Sequence, residues 1–175
     1  MTHAPRQTNV LSPAAGLIAA LLLPVPALAP LLLGGLPSGT DTLIHLNRLV
    51  TFAAGIEQGV LWPRWVPFLH LGYGYPTFIY YAPGLYFFGG LAMQSGIAAT
   101  AALQLLLALA LLAASAGTYL FTRSFLPVYG ALLAAALAVY APFRQYELWL
   151  NGNLSQLVAM SLAPLVLWLI GSAAQ

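Results

Sequence analysis

Three side chains that could act together on a proton and an anion stand at one point of the sequence: Asp41, His45 and Arg48, spaced i, i+4 and i+7. At 100° per residue these fall within about 60° of one another on a helix. A carboxylate at a helix start is favoured by the helix dipole and can take a proton from a hydroxyl as a general base. An imidazole one turn on can share that proton or fix the carboxylate. A guanidinium beyond it has the planar fork of donors that grips phosphate. A base beside a phosphate clamp suits group transfer from a lipid-linked phosphate donor. The plainer reading of the same residues is a helix cap, Asp41, followed by a wet face. The chain has only five arginines, no lysine and three acidic residues. Ionisable groups next to a bilayer are costly and mark functional sites.

A metal is a second reading of Asp41 and His45, because i, i+4 spacing can bring two ligands to one ion. Two ligands do not make a site and no nearby carboxylate completes it, so the sequence assigns no metal and no certain cofactor. The next chemistry-bearing stretch is Leu61-Trp62-Pro63-Arg64-Trp65-Val66-Pro67, then Gly72-Tyr73-Gly74-Tyr75-Pro76. Tryptophan beside a membrane is normally an anchor at headgroup level. The sharper reading makes Arg64, Tyr73 and Tyr75 the lining of a groove for a polar head or sugar, whose apolar faces stack on aromatic rings. Tyr80, Tyr81 and Tyr86 fit ordinary helix packing. Arg144 and Glu147, three apart, can pair on a helix surface, which lowers the cost of holding both near lipid. Asn151, Asn153 and Gln156 add neutral hydrogen-bonding groups beside them, so a polar pocket that binds substrate is a further reading of the pair.

The elements that must position these residues are mostly apolar. The chain has 175 residues, 61% hydrophobic and 5% charged, with a mean hydropathy of +0.89. A soluble domain carries about 25% charged residues. The composition therefore predicts an all-α integral membrane protein and excludes a water-soluble globule. The basic balance rests on scattered arginines without a patch, so no nucleic-acid partner is expected. Absence of cysteine excludes disulfides and thiolate metal sites.

About five transmembrane helices are expected, over 10–33, 77–93, 98–121, 127–142 and 154–171, in a single membrane module. Pro24, Pro26 and Pro30 should kink or fray the first, each removing a backbone donor. Arg6 places the N-terminus in the cytoplasm by the positive-inside rule. A cleaved signal peptide, with Leu17–Leu23 as its apolar core and Ala27-Leu28-Ala29 as its cleavage site, is the competing reading. Pro30 and the apolar residues after it argue for a retained helix. Either way Asp41 lies across the membrane, in an extracytoplasmic segment over 34–76. Within it Thr40 or Asp41 caps an amphipathic helix at 41–58, lying along the membrane surface and ended by Gly59. Five full spans would put Arg144 and Glu147 on the opposite side from Asp41. One short, broken or re-entrant run between 77 and 142 would return them to the same side.

The run Asp41-Thr42-Leu43-Ile44-His45-Leu46-Asn47-Arg48, then Trp62-Pro63-Arg64-Trp65 and Pro67, then Gly72-Tyr73-Gly74-Tyr75-Pro76 and Tyr80-Tyr81-Ala82-Pro83, resembles the start of a polytopic bacterial membrane family. That family is labelled 6-pyruvoyl-tetrahydropterin synthase-related, a label that describes no chemistry visible in these residues. The arrangement is also similar to the GT-C glycosyltransferases, multi-helix enzymes with an acidic residue on a juxtamembrane helix of the first extracytoplasmic loop. They transfer sugars from polyprenyl-phosphate donors to acceptors outside the cytoplasm. The resemblance covers about 35–170 and is most specific over 41–83. It implies a site on the extracytoplasmic face of the bacterial inner membrane. There Asp41 is the catalytic acidic residue, His45 orients it, and Arg48 or Arg64 meets the donor phosphate. The stretch from Phe143 to Gln156 departs from the pattern: an arginine and a glutamate are expected where this chain has Asn151 and Gln156. Family members run several hundred residues longer, so the chain is expected to be their N-terminal part, completed by a missing C-terminal part or a partner membrane subunit. The alternative is a non-catalytic scaffold or accessory subunit binding lipid or a partner protein. A transporter would need a polar path that 98–121 and 127–142 do not offer.

Overall fold

The computed structural model describes residues 11–67 and 69–174. Arg6, on which the orientation argument rests, lies outside them. The described chain is all-helical, with one isolated antiparallel pair between Val66 and Tyr75. Three segments are long and apolar enough to cross a bilayer: Pro13–Gly34, Ala99–Arg123 and Leu154–Ala173.

The first of these is two helices end to end, α1 (Pro13–Leu22) and α2 (Val25–Gly34). Ser12 caps α1, accepting from the Ala15 N–H at 3.2 Å. Pro24 has no N–H to give, which weakens the claim on the Ala20 carbonyl four residues back. The second of the three long segments, α6 (Ala99–Arg123), gives side-chain donors to that carbonyl and to two others. Ser115 Oγ donates to Ala20 O at 2.6 Å, Gln104 Nε2 to Leu31 O at 2.7 Å, and the Tyr119 hydroxyl to Pro13 O at 3.0 Å. These contacts run in opposite order along the two elements, so α6 is antiparallel to α1–α2. Gly16 leaves the space that the Tyr119 ring fills.

Between them lies a segment that begins and ends at one end of the bundle. It holds α3 (Thr42–Glu57), one short turn α4 (Thr77–Tyr80) and α5 (Gly84–Gln94). Helix α3 lies against α5, with His45 beside Tyr86, Leu49 beside Gly89, and the Ala53 carbonyl accepting from Gln94 Nε2 at 3.1 Å. The two therefore run parallel. The helix expected over 77–93 is thus two pieces, broken ahead of Pro83. At 1.5 Å per residue, the 11 residues of α5 reach only about 17 Å, against a hydrocarbon core of about 30 Å.

From α6 the chain turns at Pro127 into α7 (Val128–Tyr140). That helix has 13 residues and ends where Ala141, extended at ψ 130°, precedes Pro142. It continues as α8 (Pro142–Tyr146) and a π-helical turn, Glu147–Asn151. Gly152, left-handed at φ 74°, closes that turn, and α9 (Leu154–Ala173) follows. Asn153 caps α9 in a reciprocal pair with Gln156: its Oδ1 accepts from the Gln156 N–H at 3.4 Å and its Nδ2 donates to Gln156 Oε1 at 3.0 Å. Gly117 lets α6 approach the Leu165 backbone of α9 closely, the small-residue contact that membrane helices favour.

Candidate functional site

The start of α3 is fastened to the end of the π-helical turn. The Thr40 N–H donates to Leu150 O at 3.1 Å and the Asp41 N–H to Asn151 O at 2.9 Å. Gly39 and Gly152 pass so closely that a Cβ on Gly39 would stand 2.6 Å from the Gly152 nitrogen. The two polar stretches, 41–48 and 144–156, consequently share one end of the bundle. Helix α5 is a half-length helix alongside α3, one of the short or broken runs that the sequence left open as an alternative to five full spans.

Asp41 occupies the N-cap position of α3, yet its side chain accepts no capping bond. The expected cap is therefore not made by this carboxylate, which is half-buried. His45 is fully buried. Its Nε2 accepts from the Leu154 N–H at 3.3 Å, which leaves the proton on Nδ1, and Nδ1 pairs with the Tyr86 hydroxyl at 2.7 Å. Both ring nitrogens are occupied, so His45 does not orient Asp41 as the spacing implied; it ties α3 to α5 and α9. Burial pulls its pKa down to about 4, Arg48 pulls the same way, and Asp41 pulls against both.

Arg48 turns the other way. Its guanidinium carbon lies 3.9 Å from the centroid of the Tyr81 ring, a cation–π contact. It also lines a cavity of about 300 Å³ with Asn47, Thr51, His70 and Tyr75. That size is the lower end for small-ligand sites. The far wall is a hairpin closed by Val66 and Tyr75, with N–H···O bonds of 2.9 and 3.0 Å in the two directions. His70 packs against the Tyr75 ring at 4.7 Å. His70 and Leu71 take left-handed backbone angles at the tip, φ 51° and 59°, a conformation that non-glycine residues adopt at a cost.

Of the residues predicted to bind substrate, Arg48 and Tyr75 share this cavity. Arg64 lines an adjoining groove of about 420 Å³ with Trp62 and Trp65, and the two spaces meet at Thr51 and Val66. Tyr73 stands out at the hairpin tip, 86% exposed. Asp41 is not among the residues lining the Arg48 cavity. Among the described residues no group of three or more His, Asp or Glu could hold a metal ion.

Arg144 and Glu147 do not pair. Arg144 is buried and directs its donors to Ala138 O at 2.7 Å, Ser161 Oγ at 2.5 Å and Met160 O at 3.5 Å. The Ala138 carbonyl is the one that Pro142, lacking an N–H, leaves open four residues back. Gln145 likewise donates to Val139 O at 2.9 Å. These side chains finish α7 where its backbone ladder stops. Glu147, also buried, accepts from Asn151 Nδ2 at 2.9 Å. The residues that sequence reasoning passed over are Tyr81, Tyr86 and Ser155. Their available signal was chemical: a tyrosine in an apolar run must find a partner for its hydroxyl, and a histidine in an apolar helix face must find two.

Comparison with models of known protein families, with curated proteins and with solved structures finds no match to this chain.

Proposed function

We propose that this chain is a membrane glycosyltransferase module of the GT-C kind, working at the extracytoplasmic face of a bacterial inner membrane. Its donor is a polyprenyl-phosphate-linked sugar. The observation that carries the reading is Arg48: a guanidinium held by a ring face rather than by a carboxylate, opening on a cavity walled by Tyr75 and His70. A cation so placed is available to an anionic phosphate, and the rings suit the apolar face of a sugar. In the transfer step the acceptor hydroxyl gives its proton to the Asp41 carboxylate as its oxygen attacks the anomeric carbon. The bond from that carbon to the phosphate oxygen breaks, and the electron pair leaves on the lipid phosphate. Arg48, with Arg64 in the adjoining groove, offsets the charge that grows there.

A second reading is favoured by two specific features, the absence of Asp41 from the cavity lining and the full engagement of His45. On that reading the chain is a scaffold that binds a phosphorylated lipid or a partner without catalysis. The test measures sugar transfer and lipid-phosphate binding together, in liposomes containing a polyprenyl-phosphate sugar. Asp41→Asn should abolish transfer and leave binding intact, whereas Arg48→Gln should weaken both. Undiminished transfer by Asp41→Asn removes the base. Binding lost in Arg48→Gln, with no transfer by the unaltered chain, leaves the scaffold.

A further inference from the structure

One wall of the Arg48 cavity has no part in the transfer step. Thr77 opens α4, where Pro76 precedes it and the Tyr81 N–H donates to its carbonyl at 2.9 Å. Thr77 lines the cavity and is 5% exposed, and its hydroxyl has no hydrogen-bond partner among the described residues. A buried hydroxyl left unpaired costs stability, and at a cavity wall a ligand group can remove that cost. Asn47 and Thr51, one turn apart on α3, line the same space, with Tyr75 and His70 across from them. Amide and hydroxyl side chains both give and accept hydrogen bonds. Sugar hydroxyls do the same, whereas an ionised phosphate only accepts. Arg48 lies on the Tyr81 ring, beside the Tyr86 hydroxyl, and is the one arginine of this wall. Among the described residues no carboxylate lines the cavity.

We propose that the cavity selects a single neutral pyranose, with one ring hydroxyl paired to Thr77 Oγ1 and others to Asn47 and Thr51. This rests on the reading of the cavity as the donor's sugar site and deepens it by naming what the sugar carries. Three kinds of sugar are disfavoured. An amino sugar would bring an ammonium close to Arg48, with no carboxylate to meet it. A uronic acid would add a second anion competing with the donor phosphate for one guanidinium. A disaccharide would have to project its second ring, because about 300 Å³ is the lower end for small-ligand sites. Thr77 is then a specificity residue: it reads a hydroxyl and takes no proton.

The experiment titrates the full chain in nanodiscs with methyl glycosides of glucose, galactose and mannose, of glucosamine and glucuronic acid, and of maltose. Saturation-transfer NMR reads binding, and sugar-free polyprenyl phosphate is titrated separately. At least one neutral monosaccharide glycoside should bind, the two charged ones more weakly, and the maltoside no more tightly than the glucoside. Thr77→Val should lower the neutral affinity roughly three- to tenfold, the worth of one hydrogen bond, while Thr77→Ser keeps it. Without sugar, Thr77→Val should unfold at the same temperature or higher, since it removes an unpaired buried hydroxyl; a hydroxyl with a structural role would lower it. If Thr77→Val does not fold, the charged and neutral glycosides on the unaltered chain decide. No binding by any neutral glycoside, equal binding of the charged ones, or an affinity unchanged in a folded Thr77→Val overturns the proposal. Polyprenyl phosphate bound through Arg48 with no glycoside bound overturns it too, yet leaves the donor reading standing. A neutral glycoside bound through Thr77, with polyprenyl phosphate unbound or indifferent to Arg48→Gln, supports the sugar site and sinks the donor reading instead.

Discussion

Arg144 and Arg48 are both set against the membrane bundle, and the molecule uses them in opposite ways. At Arg144 the guanidinium is buried, and its donors go to two backbone carbonyls and a serine hydroxyl on α7 and α9. A helix broken by proline ends there, and a cation at that carboxyl-terminal end also meets the favourable end of the helix dipole. At Arg48 the guanidinium lies across a ring and faces a cavity. One arginine closes a gap in the backbone ladder; the other lies on a ring, beside the Tyr86 hydroxyl, at the wall of a cavity. Residue type and nearness to the bilayer are the same in both cases. What separates a structural charge from a binding charge is where the donors go.

The largest expected effect tests that separation directly. Arg144→Leu removes the donors to Ala138 O and Met160 O and takes one of two partners from Ser161. An unsatisfied buried polar group costs about 1–3 kcal/mol, and more than one is exposed here. Unfolding in detergent should show a loss of about 3 kcal/mol or more. Arg48→Gln should lose no more than about 1 kcal/mol, since a cation–π contact at a partly open site contributes about that much. If the two losses are equal, the comparison fails.

His45 sharpens the contrast through pH. The folded chain keeps this imidazole neutral down to about pH 4, while the unfolded chain takes up its proton near 6.5. Stability linked to His45 is therefore complete above 6.5, falls as pH drops from 6.5 to about 4, and is not lost further below that. The full difference is about 3 kcal/mol. Protonation also turns Nε2 into a donor facing the donor N–H of Leu154. His45→Gln should flatten that part of the stability profile while lowering the plateau at neutral pH. A profile as steep as that of the unaltered chain would assign the acid sensitivity to another group.

The long elements were legible because their signals are local. The helix expected at 41–58 is Thr42–Glu57, those expected at 98–121 and 154–171 are Ala99–Arg123 and Leu154–Ala173, and 10–33 becomes the kinked Pro13–Gly34. Apolar runs, Gly59 and the prolines decide these boundaries. The 77–93 run failed as a single helix because Pro83 interrupts it, and pairing with α3 lets so short a helix persist. The Asp41–His45–Arg48 face was legible as a face, but not the direction each side chain takes. His45 turned inward because Tyr86 and Leu154, 41 and 109 residues away, offer partners that no local spacing reveals. Arg144 was read toward Glu147 because charges suggest ion pairs. The better clue was Pro142, whose missing N–H opens the carbonyl that Arg144 fills.

The smallest expected effect lies at Tyr81, where the comparison turns on a ring. Tyr81→Leu keeps an apolar side chain but removes the π face beneath Arg48. Stability should change by about 0.5–1 kcal/mol, a shift near the limit of detergent unfolding. Binding is the more sensitive readout. Freed from the ring, the guanidinium samples more rotamers, and ordering it again on a phosphate costs entropy that the ring now removes in advance. Lipid-phosphate affinity should therefore fall a fewfold in Tyr81→Leu and stay near normal in Tyr81→Phe, which retains the face. Equal losses in both would shift the role from the ring to the phenol hydroxyl, and Arg48 would then be no better prepared for an anion than any surface arginine.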